Sequence, residues 1–336
     1  MSGGEIRIGI SGWTYKPWRG VFYPPKLRQQ DELGFASGQV SAIEINGTFY
    51  GLQRPESFAR WRDETPEDFV FSVKAPRFIT HTKRLRDVAT PVANFFASGL
   101  LRLGPKLGPI LWQFPPTMQF DADLFEAFLA MLPHDTAAAA VLARRHDDRM
   151  KGRSALQAES EHKLRHAVEI RHESFRDPDF LRLLQKYKIA LVCADTNKWP
   201  RLMDVTADFI YCRLHGPAEL YVSGYDVKAL GFWRDRVARW AEGGEDKKAE
   251  RIGGPARPYK AGRDVFVFFD NDLKVRAPRD AVALMQLLGL HRHLEEEKMA
   301  KETNAGKETI DRVMHEAKKG ELKTSAGKKV KTAGRQ

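Results

Sequence analysis

Eight short apolar runs, at residues 6–10, 40–46, 69–74, 110–114, 166–171, 189–195, 208–215 and 264–271, constrain the fold more than any other feature of the chain. Most end in a polar or charged residue at the same phase. Side chains alternate faces along a strand, so residues two apart share a side. Glu44 then lies with Asn46, Glu169 with Arg171, Arg213 with His215, and Cys193 with Asp195, while Lys74, Gln113 and Asp270 close their own runs. Eight strands separated mainly by helical patterns predict an α/β fold, a (β/α)8 TIM-type barrel with its site at the C-terminal strand ends. That mouth would collect Glu44, Asn46, Lys74, Gln113, Glu169, Arg171, Asp195, Arg213, His215 and Asp270.

Helical periodicity follows several strands, over residues 55–63, 92–103, 121–132, 178–187, 230–241 and 279–290. The connection from Asp195 to Asp208 is short and holds Pro200, so the barrel is expected to be somewhat irregular there. Two stretches read as insertions: a helical excursion at about 134–165, and a Gly-, Lys- and Pro-rich surface loop at about 242–262, expected to be mobile. The barrel domain is expected over 1–294. Residues 295–336 form a charged, Lys-rich tail with few apolar residues, expected to be largely disordered.

The 42% hydrophobic content of 336 residues, with 20 Phe and 7 Trp, is enough to fill such a barrel and its helical jacket. A net charge of +11 draws anionic partners, either nucleic acid or phosphorylated metabolites, although an ordinary basic enzyme fits the same number. The N-terminus lacks a signal peptide's long apolar stretch, and no run nears the ~18–20 residues that span a bilayer. A cytoplasmic protein without a membrane partner is the expectation. Cys193 and Cys212 fall on neighbouring strands in opposite phase, which predicts two buried, reduced thiols on opposite faces and no disulfide. Oligomeric state is not legible.

Several motifs carry chemistry. Residues 12–24 form a dense aromatic loop that either stacks on a ligand or plugs the mouth. Glu44, between Ile43 and Ile45, is a carboxylate inside a barrel, and it must pair with a cation, bind a metal or hold a proton. Lys74 suits a phosphate, a base of lowered pKa or an ordinary ion pair. The fifth run brings Glu169, Arg171 and His172, and the next three bring Asp195, Arg213, His215 and Asp270. Such a set suits a divalent metal or an acid/base pair. No His-x-His, paired-cysteine or His-Glu-x-x-His motif occurs, so no metal ligand is assigned and the cofactor is left open, a divalent metal among the options. Three mouth cations (Lys74, Arg171 and Arg213) suit phosphate or carboxylate oxygens. Neither glycine-rich nucleotide fingerprint is present.

The segments GISGWTYKPWRGVFYP, VSAIEINGTFYGL, FVFSVKAPRFITH, LGPILWQFPP, HAVEIRHESF, YCRLHG and VFFDND occur in that order. In this the chain resembles the YecE-like family, built on domain of unknown function 72, from residue 6 to about 290. The resemblance implies a TIM-type barrel and supplies no activity. It implies a mouth holding Trp13, Glu44, Asn46, Thr48, Tyr50, Lys74, Gln113, Glu169, Arg171, His172, Asp195, Arg213, His215 and Gly216. The eighth run here ends Phe269-Asp270-Asn271-Asp272, where that family commonly carries Asn-Asn, which adds negative charge. The segment before His166 and the tail lie outside the shared body. The barrel's likeness to metal-dependent sugar isomerases and apurinic-site endonucleases is an analogy of fold alone.

The leading expectation is a mouth that binds an anionic, phosphate-bearing ligand, small molecule or nucleic acid. Lys74, Arg171 and Arg213 would hold the anion, and Trp13 and Tyr50 would stack. Asn46, Gln113, His172, Asp195 and Asp270 would line the site, with Glu44, Glu169 and His215 as catalytic candidates for hydrolase-type acid/base chemistry. One alternative is a non-catalytic nucleic-acid-binding protein that acts through its basic tail and surface. The other is a metal-dependent hydrolase or isomerase, which needs Glu44, Glu169, Asp195, His215 and Asp270 to meet at one ion. Whether the chain is an enzyme stays open.

Overall fold

Strand alternation governs the architecture. The computed structural model describes residues 3–290 apart from 217–219, 222, 247 and 272–274, so the expected tail lies outside the described residues. The strands are β1 (Ile6–Ser11), β2 (Ala42–Ile45), β3 (Val70–Lys74), β4 (Leu107–Gln113), β5 (His166–Glu169), β6 (Ala190–Asp195), β7 (Phe209–Leu214) and β8 (Asp264–Phe269). They pair in parallel, in chain order, and β8 closes onto β1. This is a TIM-type barrel. Its register slips once, between Phe71 and Val73 where β3 meets β4.

The helices are α1 (Glu32–Gln39), α2 (Gly47–Tyr50), α3 (Pro55–Asp63), α4 (Ala89–Ala97), α5 (Ala122–Met131), α6 (Thr136–Ala143), α7 (Pro178–Lys186), α8 (Val227–Ala241) and α9 (Arg276–Leu287). Asp121, Asp135, Asp177 and Asp226 start four of them, each carboxylate accepting a backbone N–H of the first turn. α1 has no strong apolar stripe, which is why periodicity alone did not predict it. No helix joins β6 to β7. In the 134–165 stretch only α6 and a 3-10 turn, Asp148–Met150, are helical. The 242–262 loop has no helix or strand, yet it is tied down. The Asp204 carboxylate accepts the amides of Ile252 and Gly253, and Arg263 donates to the carbonyls of Gly243 and Arg257.

Two apolar layers hold the barrel. The larger lies between strands and helices, and includes Trp112, Phe95, Phe128 and Trp240. The smaller fills the barrel's interior with Ala42, Leu111, Ala167, Ala190, Val192, Phe209, Tyr211, Phe266 and Phe268. These nine are the inward phase of their strands, so the residues two further on (Glu44, Gln113, Glu169, Arg213 and Asp270 among them) continue inward at the C-terminal end.

One phase was misread. Cys193 and Cys212 are register partners and both belong to the outer layer, so the two free thiols lie on the same face rather than opposite ones. In β6 the inward residues are Ala190 and Val192, which sends Asp195 outward with Cys193. The error came from assuming that the polar end of every run points inward.

β1 approaches β2 closely at Gly9, where a Cβ would run into the Ala42 carbonyl. We expect Gly9→Ala to cost at least the ~1–3 kcal/mol typical of overpacking, read as a fall in the urea midpoint. An unchanged midpoint would mean that the two strands can part at that position.

Candidate functional site

Arg213 sits in the middle of the barrel and is 0% exposed. Its Nε and one Nη donate to both oxygens of Glu44 at 3.0 and 2.8 Å. The other Nη donates to Glu169 at 2.8 Å, and Asp270 accepts at 2.9 Å. Four of its five N–H groups are thereby used. Glu44 also accepts from Ser11 Oγ at 3.1 Å and Tyr211 Oη at 2.7 Å, which fills its four acceptor positions. Ser72 completes this layer against Tyr211 Oη at 2.7 Å. Glu169 takes two further donors, Gln113 Nε2 at 2.9 Å and Arg171 Nε at 2.7 Å. Burial alone would raise Glu169, but the guanidiniums of Arg171 and Arg213 overcome it and hold the carboxyl well below its ordinary range. Asp270 is likewise lowered: burial opposes ionisation, and Arg213 and His215 outweigh it. Burial works against the Arg213 charge too, and Asp270, Glu44 and Glu169 more than restore it.

Above this layer the mouth is cationic. Lys74, 8% exposed, ends β3 with its Nζ 4.3 Å from the centre of the Phe49 ring, and it donates no hydrogen bond among the described residues. Thr48 Oγ1 donates to the Lys74 carbonyl at 2.6 Å and fixes the strand end. Burial, then the charge of Arg213, brings the Lys74 amine down to about 8. Burial, then Lys74 and Arg171, takes His81 down to about 4, while its ring stands edge-on to Phe49. Arg171 lies 4.0 Å from the Trp199 ring centre and reaches Tyr221 Oη at 3.5 Å. His215 has Nδ1 3.0 Å from Asp270 and Nε2 3.9 Å from Glu169, and packs between Trp199 and Tyr221.

Glu44, Lys74, Gln113, Glu169, Arg171, Arg213, His215 and Asp270 thus form one connected group. The other expected residues stand apart from it. Asp195, pointing outward, accepts from Arg201 at 3.0 Å and Tyr225 at 2.9 Å and lines a separate cavity with Trp199, Arg176 and Lys198. His172 Nδ1 accepts the Ser174 amide and caps a 3-10 turn. Trp13 packs edge-on against Trp61 at 5.3 Å, and the rest of its loop forms a side cluster in which Trp18 and Tyr23 pack with Phe22. Asn46, with its buried Oδ1 unpaired among the described residues, lines a cavity beside Trp13. Tyr50 is 75% exposed and borders a cavity of about 400 Å³ between α2, the β3–α4 segment and the Asp148–Met150 turn. Gly216 donates its amide to Tyr225 Oη.

The convergence on one ion that a metal site needs is absent here. Glu44, Glu169 and Asp270 converge on a guanidinium, and among the described residues no group of three or more His, Cys, Asp or Glu is arranged to hold a metal ion. Among the same residues no helix is long and apolar enough to cross a membrane. Trp199 and Tyr211 were missed from sequence. Tyr211 was within reach, two residues before Arg213 on the same face. Trp199 lies in a connection without periodicity and had no signal.

A family model described as "Protein of unknown function DUF72" matches residues 7–304. The chain belongs to this family. Curated relatives include the UPF0759 protein YunF of Bacillus subtilis (strain 168), 33% identical over 116 residues, and the UPF0759 protein YecE of Escherichia coli (strain K12), 32% identical over 117. Each match covers 33% of this DUF72 chain and 40% and 38% of the relatives, so the chain aligns with about two fifths of their length. The fold agrees with that of a DUF72 family protein from Thermotoga maritima MSB8 (TM-score 0.65, 23% identity, covering 85% of this chain and 99% of that one). A second, from Enterococcus faecalis V583, gives 0.60 at 17% identity, over 85% and 96%.

Two outcomes follow from the electrostatics of this DUF72 barrel. Arg213→Met takes the shared cation from three buried carboxylates, of which Glu169 alone keeps an arginine partner in Arg171, and should cost ~3–5 kcal/mol. The depressed carboxyls of Glu169 and Asp270 then rise, so the loss should be smaller at pH 5 than at pH 8 in urea titrations; equal losses would contradict the pairing. Lys74 has the opposite sign of linkage from a paired lysine. Its folded pKa lies below its unfolded one, so the unfolded chain binds more protons between about pH 8 and 10.5, and stability gains as pH rises through that window. Lys74→Met should therefore stabilise the protein at pH 7, and the gap to the wild type should narrow steadily from about pH 8 to 10.5.

Proposed function

We propose that this barrel mouth binds a small anionic, phosphate-bearing ligand. The observation that carries the reading is the Lys74 ammonium, buried and without a hydrogen-bond partner among the described residues, which together with Arg171 bears on the His81 imidazole, above carboxylates already bonded to Arg213. An unpaired buried cation is costly, and an anion arriving there would relieve the cost. Lys74 and Arg171 hold the anion. Arg213, expected to hold it directly, acts from below by occupying Glu44, Glu169 and Asp270. Of the catalytic candidates, His215 is the group placed to move a proton, and Glu44 and Glu169, whose oxygens are bonded to Arg213 and its neighbours, are positioning residues. Two free thiols side by side in register suit a reducing compartment, and we assign the chain to the cytoplasm.

A second reading, a strand of nucleic acid, has one observation in its favour. The cavity beside the mouth is bordered by the exposed rings of Tyr50 and Phe78 and by Arg77, Lys83, Arg149 and Arg153. Rings and cations in one groove are what a stacked, charged strand requires.

Inorganic phosphate and a panel of sugar and nucleoside monophosphates, titrated calorimetrically into the full chain, test the first reading. Arg171→Met should weaken the tightest of them at least tenfold, the scale of one charge-assisted hydrogen bond. Unchanged affinity in a folded variant would sink the anion clamp. For the second reading, oligothymidine binding should fall steeply with salt and drop in Tyr50→Ala; binding indifferent to Tyr50 assigns it elsewhere on the surface.

A further inference from the structure

Among the described residues two lysines are buried, and they are treated differently. Lys106, 8% exposed like Lys74, donates to the carbonyls of Arg62 and Thr65 at 2.5 and 2.8 Å and to the Thr65 hydroxyl at 3.2 Å. It is a structural lysine with its three donors met. Lys74 has the same burial and none of those bonds among the described residues. Its Nζ rests over the face of Phe49, at the C-terminal end of a barrel strand. That end is where barrels carry their chemistry.

We propose that Lys74 is a carbonyl-capturing amine, whose Nζ adds to the aldehyde or keto carbon of a small anionic substrate and forms an imine. The inference rests on the anion-binding reading above and deepens it by naming the substrate class: a carbonyl compound that also bears a carboxylate or phosphate. Arg171 holds the anionic end, its planar guanidinium backed by Trp199 and by Glu169. The Nζ lone pair attacks the carbonyl carbon. The C=O π electrons go to oxygen, which takes up a proton, and Nζ loses one, giving a carbinolamine. The nitrogen lone pair then closes the C=N bond as the C–O bond breaks and oxygen departs as water. Amine and carbonyl give imine and water, with no oxidant or reductant involved.

The surroundings suit the step. Only the unprotonated amine attacks, and an ordinary lysine at pH 7 offers well under a thousandth of its molecules in that form. With burial and Arg213 bringing it to about 8, Lys74 offers roughly a tenth. The groups acting on Lys74 are Arg213 from β7, Glu44 from β2, Asp270 after β8 and Glu169 from β5, with His81 and Phe49 from the segments after β3 and β2, and Arg171 reaches the same His81. The three carboxylates in this set are bonded to Arg213 and none forms an ion pair with the amine among the described residues, so burial and Arg213 outweigh their pull on its proton. His215 lies in the same layer, with its Nε2 3.9 Å from Glu169, to take the proton that the nitrogen loses and to supply the one that leaves with water.

The test is reductive trapping on the full chain. Glyoxylate, an anionic aldehyde, is added with sodium cyanoborohydride between pH 6 and 10, and the modified lysines are mapped by peptide mass spectrometry. Uncharged propanal is run in parallel. Lys74 should be alkylated by glyoxylate at least tenfold faster than exposed Lys26 or buried Lys106, with a rate that levels off above about pH 8. Lys74→Arg, which keeps the charge, should lose that product while still binding inorganic phosphate. Phosphate binding without preferential labelling of Lys74 overturns the amine proposal and leaves the anion site standing. Preferential labelling by propanal, with no advantage for glyoxylate and no effect of Arg171→Met, retains the amine and removes the anion clamp. A labelling rate at Lys74 still climbing at pH 10 marks an ordinary lysine and also overturns the proposal.

Discussion

One buried guanidinium organises this barrel. Arg213 bonds carboxylates that arrive from β2, β5 and the end of β8, so a single side chain ties together four parts of the sheet. Removing such a cation from water costs several kcal/mol, and only near-complete pairing offsets it. Here the pairing is near complete: four of five donors are used, and Glu44 has no acceptor position left. The geometry in turn demands a polar floor beneath it, which Ser11, Ser72 and Tyr211 supply, and an apolar plug lower down, which Phe209, Phe266 and Phe268 supply. The barrel is therefore packed at one end and ionic at the other, and on β2, β4, β5, β7 and β8 the change of character occurs within two residues.

The same guanidinium decides what the mouth can do. Three carboxylates close to an open end would ordinarily attract a cation. Bonded to Arg213 they no longer can, and the groups left facing outward are Lys74, Arg171 and His81. Each of the two titratable amines and imidazoles among these is pushed toward its neutral form by burial first and by neighbouring positive charge second. A mouth that disfavours additional protons favours an incoming negative charge by the same electrostatics. The polarity of the ligand we propose thus rests on the pairing below, rather than on the chain's net charge of +11, which describes the whole surface.

Much of this was legible in the sequence, because a strand has only two faces. All eight strands fall within the apolar runs or overlap them closely, and α3 spans Pro55–Asp63 as periodicity predicts. Face sharing correctly put Glu44, Glu169 and Arg213 inside. It failed at β6, where a polar strand end was taken as inward when its apolar neighbours Ala190 and Val192 held that face. The misplacement of Asp195 and of the cysteines is one error, not two. What spacing could not give is partnership. That Arg213 would take all three carboxylates, leaving Lys74 alone, depends on distances across the barrel between residues as far apart as 44 and 213. Trp199, which backs Arg171, comes from a connection with no repeat to read.

Phe49 links the mouth to its surroundings. One face carries the Lys74 ammonium, its edge meets His81, and the residue also borders the cavity that Tyr50 and Phe78 line. A ligand whose anionic end reached Arg171 and Lys74 would leave its remaining body at this ring. The far wall of the cavity is Arg149 and Arg153, from the 134–165 stretch rather than from the barrel strands. The groups that would fix the anion therefore belong to the strand ends, and the groups that would meet the body belong to a connecting segment. Such a division lets the connecting segment change what is recognised without disturbing the ion network, because none of its side chains bonds to Arg213 or its three carboxylates among the described residues. In the binding we propose, specificity and stability would be carried by different parts of the chain, with Phe49 where they meet.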